Sequence, residues 1–290
     1  MSEKNAGLPL TASLWICALL VMAAAASWQR LTGPTHPRRV QAQIAGQDVR
    51  FRLLRSAVSG EPFLVSVPAP EGVSGVVRYR RFPTGEPFTE VPLRREGGAL
   101  MAVLPTQPPA GKLEYAVALT AAGRELRLPA DGPVVMRFKG DVPAGILIPH
   151  VTAMFFGMMI GIRAALAAAL GRPEARRYAW VTVVLIGLGG LVLGPIVQKY
   201  AFGAFWTGWP FGEDLTDNKT LAMWLGWLIA VWVLSRRREP GDRVARWVVA
   251  AAAAVMIAVY VVPHSLRGSQ LDYAKVKAGG AAQDAIGTGR

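Results

Sequence analysis

Five long apolar runs decide what this chain can fold into. They span residues 8–28, 144–170, 178–197, 220–234 and 244–262. The fourth run is the shortest and reaches full length only when its start at Asn218 is included. A helix needs roughly 20 apolar residues to cross the hydrocarbon core of a bilayer. The pattern therefore predicts a membrane α-helical bundle of five transmembrane helices.

The first run allows two interpretations. Its basic region contains only Lys4 and its apolar stretch is long, which favours an uncleaved transmembrane anchor over residues 1–28. The Ala-Ala-Ala-Ala-Ser stretch at 23–27 also fits a signal-peptidase site, so cleavage stays open. The single cysteine, Cys17, lies inside this run, so no disulfide can form within the chain.

The arginines predict the orientation of the bundle. The net charge is +13, and many of the arginines cluster in two short segments between apolar runs, residues 171–177 and 235–246. Such clusters mark cytoplasmic loops, which also places the N-terminus inside. Residues 29–142, the loop 198–219 and the C-terminal tail then lie outside, in the periplasm of a bacterial inner membrane. No basic patch is interleaved with aromatic residues, so nucleic-acid binding is not expected.

The region 29–142 has a different pattern from the apolar runs. Short alternating segments separated by Gly, Pro and Asp predict strands at 49–54, 63–67, 75–82, 99–104, 113–119, 125–128 and 134–138. This spacing is typical of an external all-β sandwich. The segment 109–115 resembles the turn-then-strand unit that carries the tyrosine corner of fibronectin type III and immunoglobulin-like domains, with Tyr115 as the corner residue. The domain shows no catalytic constellation and is expected to act as a spacer or to dock a partner protein.

The segments 143–266 and 267–290 complete the predicted organisation. The first is a four-helix transmembrane domain that carries the external loop 198–219, called here the aromatic loop. The second is an external tail, predicted to be disordered over 277–290 because it is rich in Gly and Ala. Charge complementarity predicts that Arg267 meets Glu213, Asp214 or Asp217. Arg163, inside the second run, is expected to extend to the cytoplasmic headgroups, or else to pair within the bundle.

Two of the three histidines occupy similar places. His150 opens the second run after a proline, and His264 follows the fifth run after Pro263, so both are predicted at the outer membrane surface. His36 lies in a proline-flanked linker and has no predicted role. A single histidine at a helix end is usually structural. A pair that flanks one loop favours metal ligation.

The aromatic loop between these histidines carries six aromatic residues, Tyr200, Phe202, Phe205, Trp206, Trp209 and Phe211. An interfacial aromatic belt explains some of them. The interspersed glycines and Pro210 favour an ordered loop that presents flat apolar surfaces. Such surfaces suit a flat macrocycle, and haem iron accepts imidazole ligands on its axial positions.

The segment Phe202-Gly-Ala-Phe-Trp-Thr-Gly-Trp209, followed by Asp214, resembles the tryptophan-rich WWD-type motif of the haem-handling membrane proteins of cytochrome c biogenesis. In that family, external histidines flank the motif, and His150 and His264 hold those places. The resemblance implies that haem b binds against Phe202, Phe205, Trp206, Trp209 and Phe211, with both histidines on the iron. Phe202 stands where the motif has its first tryptophan. The resemblance also implies a c-type cytochrome as a partner.

The acidic end of the aromatic loop has two interpretations. Its residues can cap the fourth helix, where carboxylates favour the helix dipole. Glu213, Asp214 and Asp217 can instead supply oxygen ligands for Ca²⁺, although their spacing is not that of a known calcium loop. Lys199 and Lys219 can pair with haem propionates or with these acids.

Three functions were compared. The leading one is haem binding at the periplasmic face, in haem handling, cytochrome c assembly or membrane electron transport. The alternative is a non-enzymatic scaffold or assembly subunit that docks a periplasmic or membrane protein through its sandwich. An enzyme is least favoured because the sequence contains no Ser-His-Asp set, zinc-spaced cluster or phosphate-binding loop.

Overall fold

The computed structural model describes residues 7–237, 239, 241–263 and 268–288. The chain divides into two compact units. A helical unit comprises Met1–Gly33, Val142–Lys199 and Phe205–Gly268. A β-rich unit comprises Pro34–Asp141, Tyr200–Ala204 and Ser269–Arg290. The predicted combination of long apolar helices with separate β-sheets is therefore present.

Six α-helices account for the apolar runs: α1 Gly7–Thr32, α2 Ala144–Ala169, α3 Ala175–Ile186, α4 Gly194–Phe202, α5 Leu215–Arg236 and α6 Arg243–Val261. A π-helical segment, Gly187–Leu193, joins α3 to α4 into one continuous helix. Five helical segments in the described chain are thus long and apolar enough to cross a membrane. α1, the continuous α3–α4 helix and α5 extend beyond the predicted runs at both ends, while α2 and α6 end one residue before them.

Small residues let the helices of this unit pack closely. A Cβ atom on Gly161 of α2 would lie 2.9 Å from the Trp227 ring and 2.8 Å from Met256 Cε. Trp227 and Met256 are both fully buried. In a bilayer the hydrophobic effect does not drive helices together, so close packing of this kind stabilises their association.

Arg163 is fully buried and does not extend to solvent. Its guanidinium carbon lies 4.9 Å from the Tyr178 ring centre and 5.6 Å from that of Trp15. Its Nη2 lies 3.7 Å from Glu174 Oε1. The structure therefore supports pairing within the bundle, the second of the two predicted arrangements. Two aromatic rings and one carboxylate surround the guanidinium.

The π-helical segment widens one stretch of the third membrane-length helix. Its i→i+5 bond runs from the Gly194 N–H to the Gly189 carbonyl, which leaves room for the ring of Pro195. A Cβ on Gly190 would lie 2.6 Å from Thr220 Cγ2 of α5. The glycines of this run therefore pack closely against α5.

The β-rich unit contains eleven strands before α2: β1 Arg38–Ile44, β2 Gln47–Leu53, β3 Ser56–Val58, β4 Phe63–Pro68, β5 Ser74–Arg81, β6 Thr89–Pro92, β7 Arg94–Glu96, β8 Ala99–Leu104, β9 Lys112–Ala121, β10 Arg124–Leu128 and β11 Val134–Lys139. The main sheet has the order β3-β11-β9-β5-β6, with β10 also paired to β9. A second sheet has the order β4-β8-β7, and β1 and β2 form a hairpin. Inward residues from all of these sheets share one core.

Tyr115 lies at the centre of that core, but it does not form the predicted corner. Its hydroxyl donates to the Leu54 carbonyl at 2.8 Å, across 61 residues of chain. A tyrosine corner bonds to backbone only a few residues upstream. The bond instead ties β9 to the residue after β2, and burial raises the pKa of the Tyr115 hydroxyl.

Replacing Tyr115 with phenylalanine is expected to destabilise this unit by about 1–3 kcal/mol, because the Leu54 carbonyl loses its buried donor. Tyr79 is the matched control, since it pairs with Tyr115 across β5 and β9 but is only half-buried. Hydrogen exchange of the β9 amides measures both variants. Equal exchange in Tyr115→Phe and Tyr79→Phe would remove the role assigned to this bond.

The C-terminal tail is ordered where disorder was predicted. It forms β12 Ser269–Leu271, α7 Tyr273–Lys277, a 3-10 turn Ala282–Ala285 and β13 Ile286–Thr288. The buried Tyr273 hydroxyl accepts from the Lys112 N–H at 2.9 Å and donates to the Lys112 carbonyl at 2.9 Å, with Gln107 Oε1 at 3.1 Å. Long-range packing thus orders a segment whose composition alone favours disorder. Arg267, predicted to meet the acids of the aromatic loop, lies outside the described residues.

Candidate functional site

His150 lies in the second turn of α2 and its ring is fixed by a backbone carbonyl. The Nδ1 atom lies 2.8 Å from the Gly189 carbonyl oxygen. A carbonyl only accepts, so this bond requires the proton on Nδ1 and leaves the Nε2 lone pair available. Metal-binding histidines are usually oriented by such a bond on their other nitrogen.

The π turn places this carbonyl beside the histidine. Gly189 is the residue whose carbonyl also accepts the Gly194 N–H across the wide turn. Gly194 lies against the ring, because a Cβ atom there would be 3.8 Å from His150 Cε1. The run of glycines therefore gives the imidazole both its acceptor and its space.

The non-helical part of the aromatic loop, residues 203–214, is held onto the start of α5. Asp217 is buried and its Oδ2 accepts from the Thr207 N–H at 2.7 Å. Asn218 Oδ1 accepts from the Trp209 N–H at 2.6 Å. The loop is therefore ordered by side chains in the first turn of the following helix.

Gln198 connects this loop to the helix that carries Gly194. Its Nε2 donates to Thr207 Oγ1 at 2.7 Å and to Asp217 Oδ2 at 3.2 Å. Gln198 and Gly194 are four residues apart on α4, so they share one face of that helix. The His150 ring therefore lies about one helical turn from the polar contacts that hold the loop.

The acids of the loop act as caps. Asp214 is the N-cap of α5, and its Oδ1 accepts from the Thr216 N–H at 2.8 Å. Asp217 accepts bonds from the loop, while Glu213 is exposed. Across the described residues, no group of three or more His, Cys, Asp or Glu side chains is arranged to hold a metal ion. These contacts match the capping alternative, and calcium binding stays a prediction.

Three aromatic side chains of the loop face outward from the helical unit. Phe205, Trp209 and Phe211 are 56%, 69% and 82% exposed. Trp206 is half-buried, and its indole N–H donates to the Trp209 carbonyl at 3.0 Å. The result is a fixed apolar surface, as expected for a shaped loop.

The remaining predicted ligand-contacting residues differ in their surroundings. The Lys199 ammonium lies 5.5 Å from the Phe205 ring centre. Lys219 is buried, and its Nζ donates to the Val262 carbonyl at 2.5 Å. Its ammonium therefore binds a backbone carbonyl just beyond the end of α6. Phe202 is half-buried at the end of α4, in the part of the chain assigned to the β-rich unit.

A hydrogen bond joins α2 to α6 near their predicted ligands. The Tyr260 hydroxyl of α6 donates to the Met154 carbonyl of α2 at 2.5 Å. Met154 follows His150 by four residues, and Tyr260 precedes His264 by four. His264 itself lies outside the described residues. The structure thus brings together the helix turns next to both histidine positions.

Four contributors to this site were not identified from the sequence: the Gly189 carbonyl, Gln198, Thr207 and Tyr260. A tyrosine and a glutamine near the ends of apolar helices are a weak signal, because such residues often lie at the interface. The carbonyl carries no sequence signal other than the run of glycines around it.

No protein-family model matches this chain, and a search of curated proteins finds no match either.

Proposed function

We propose that this protein binds haem b at one end of its helical unit, with His150 and His264 as axial ligands. The observation that carries the proposal is the Tyr260–Met154 hydrogen bond, because it joins α2 and α6 four residues from His150 and, along the sequence, four residues before His264. On α2 the next turn toward the N-terminus carries His150, and on α6 the chain beyond the helix end leads to His264. Two imidazoles that approach from neighbouring helix ends suit the two axial positions of one iron.

The orientation of His150 supports the same proposal. Its Nδ1 is held by the Gly189 carbonyl, so Nε2 is left to meet the iron.

The aromatic loop would hold the macrocycle. Phe205, Trp209 and Phe211 present apolar surfaces that are exposed yet fixed by the contacts of Asp217 and Asn218. Lys199, whose ammonium lies beside the Phe205 ring, would pair with a propionate. Haem held in this way would supply one-electron chemistry, or be cargo for delivery to a c-type cytochrome.

We also propose that the helical unit spans a bacterial inner membrane, with the aromatic loop and the β-rich unit in the periplasm. The two arginine-rich segments support this orientation. The shared core of the β-rich unit is consistent with an immunoglobulin-like sandwich. Such a domain could dock the protein that supplies or receives the haem.

Haem titration of the purified full-length protein in detergent tests the function. We expect saturation at one haem per chain, with a Soret band typical of six-coordinate low-spin iron. If no haem binds under conditions of full supply, the proposal fails. A stable protein partner that co-purifies without cofactor would then favour the scaffold alternative.

A further inference from the structure

A cavity of about 220 Å³ opens at the other end of the helical unit, away from His150 along α2. It lies where α2 and α5 end and where α3 and α6 begin. Four arginines line it, against two carboxylates: Arg172, Arg176, Arg237, Arg246, Glu239 and Asp242. The excess of guanidinium groups favours an anion.

Of the four arginines, Arg172 pairs with Glu174 at 3.2 Å and Arg237 pairs with Asp242, which leaves the charges of Arg176 and Arg246 for an anion. Asp242 caps α6 through the Ala245 N–H and pairs with Arg237 at 3.2 Å. The cap and the arginine together hold the pKa of Asp242 below its usual value. Arg246 donates to the Ala169 carbonyl with one of its five N–H groups. Within the described residues, Arg176 forms no ion pair.

The start of α3 adds a second feature that favours an anion at the same place. Its N-cap residue, Glu174, forms no side-chain cap bond to the helix. Among described residues, no acceptor is found for the backbone N–H groups of Arg176 and Arg177. A twelve-residue helix presents partial positive charge at such an end, where phosphate groups bind readily.

Two exposed tryptophans indicate where the anion comes from. Trp247 directly follows Arg246 and is 77% exposed, and Trp180 lies in the second turn of α3 and is 50% exposed. Tryptophans concentrate at the headgroup level of a bilayer. In the orientation proposed above, the arginine cavity would lie at the level of the lipid phosphates on the cytoplasmic side, where basic pockets between transmembrane helices bind anionic headgroups.

We propose that this cavity binds the phosphate of an anionic phospholipid from the cytoplasmic leaflet. The proposal rests on the membrane insertion and orientation proposed above, and it does not require haem. Arg176 and the start of α3 would hold the phosphate, and Arg246 would close the site from α6. Such a lipid would join α3 to α6 at their cytoplasmic ends.

Native mass spectrometry of the full-length protein in detergent tests this site. Phosphatidylglycerol, phosphatidylcholine and inorganic phosphate serve as separate probes. We expect retention of phosphatidylglycerol over phosphatidylcholine, and at least about tenfold weaker binding in Arg176→Gln/Arg246→Gln, the equivalent of one charge-assisted contact. Arg176→Gln alone should also weaken binding, and it leaves the Arg246–Ala169 contact intact.

The matched control is Arg177→Gln/Arg243→Gln, which removes the same charge from the same two helices outside the cavity. Equal loss in both double variants would reduce the effect to general surface charge and overturn the proposal. Competition by inorganic phosphate at the same concentration as lipid would also overturn it, since the site would then bind free anions. Haem titration of these variants separates the two proposals, because the His150 site is expected to be unchanged.

Discussion

Replacing His150 with alanine is expected to abolish stable haem binding by the purified protein. The Gly189 carbonyl holds this imidazole with Nε2 free, so the variant removes an oriented ligand. Loss of an outer-shell partner alone typically costs 10–100-fold in metal affinity. Loss of the ligand itself should therefore weaken haem binding by more than about 100-fold. Haem titration followed at the Soret band measures the change.

His36→Ala is the matched control for this experiment. His36 lies at the start of the β-rich unit, outside the helical unit that carries His150. Its replacement should leave the Soret band and the haem affinity unchanged. Wild-type affinity in His150→Ala would contradict the account, and so would an equal loss in His36→Ala.

Asp217→Ala is expected to release the aromatic loop from α5. The buried carboxylate accepts from the Thr207 N–H and from Gln198 Nε2. Hydrogen bonds to a charged group are worth roughly 1.5–3 kcal/mol each, and these two share one acceptor and will not simply add. We therefore expect the free energy of loop opening to fall by about 2–4 kcal/mol.

Hydrogen exchange of residues 203–214 in the full-length protein measures this opening. A loss of that size should raise exchange by about 30-fold or more, since 1.4 kcal/mol corresponds to a factor of ten. Asp217→Asn keeps one oxygen acceptor and serves as the matched variant, with a smaller increase. Haem affinity should fall in the same order, because the loop presents the aromatic surface. Unchanged exchange in Asp217→Ala would show that other contacts hold the loop.

The long helices and seven strands could be predicted because each follows a simple repeat of apolar residues. The strands that were missed explain the limit of that signal. β1 alternates Val40, Ala42 and Ile44, but two glutamines separate these residues and two arginines precede them, which lowers the apolar content of the segment. β3 and β7 are three residues long, too short to show an alternation.

The residues of the candidate site could be predicted from the sequence, but the contacts between them could not. The sequence places His150 and Asp217 near predicted helix ends, where ligation or capping is expected. It cannot place the Gly189 carbonyl beside His150, because that contact depends on a π turn and on the packing of α2 against α3. The Tyr260–Met154 bond likewise joins positions 106 residues apart.

The ordered tail illustrates the same limit. The Gly and Ala content of residues 277–290 predicts disorder, yet Ala285 is buried and Ile286 pairs with Leu271, whose N–H donates to the Ala110 carbonyl. Burial raises the pKa of Tyr273 to about 12, consistent with a hydroxyl enclosed by Lys112 and Gln107. Two anchoring residues are enough to order a segment whose average composition is that of a flexible chain.

Near-infrared magnetic circular dichroism of the ferric full-length protein tests the axial ligand pair most directly, because the charge-transfer band reports both ligands at once. The account predicts the band of a bis-imidazole low-spin haem in the wild type. It also predicts loss of that band in His150→Ala and, separately, in His264→Ala. A high-spin haem in the wild type, or a bis-imidazole band that persists in either variant, would contradict it.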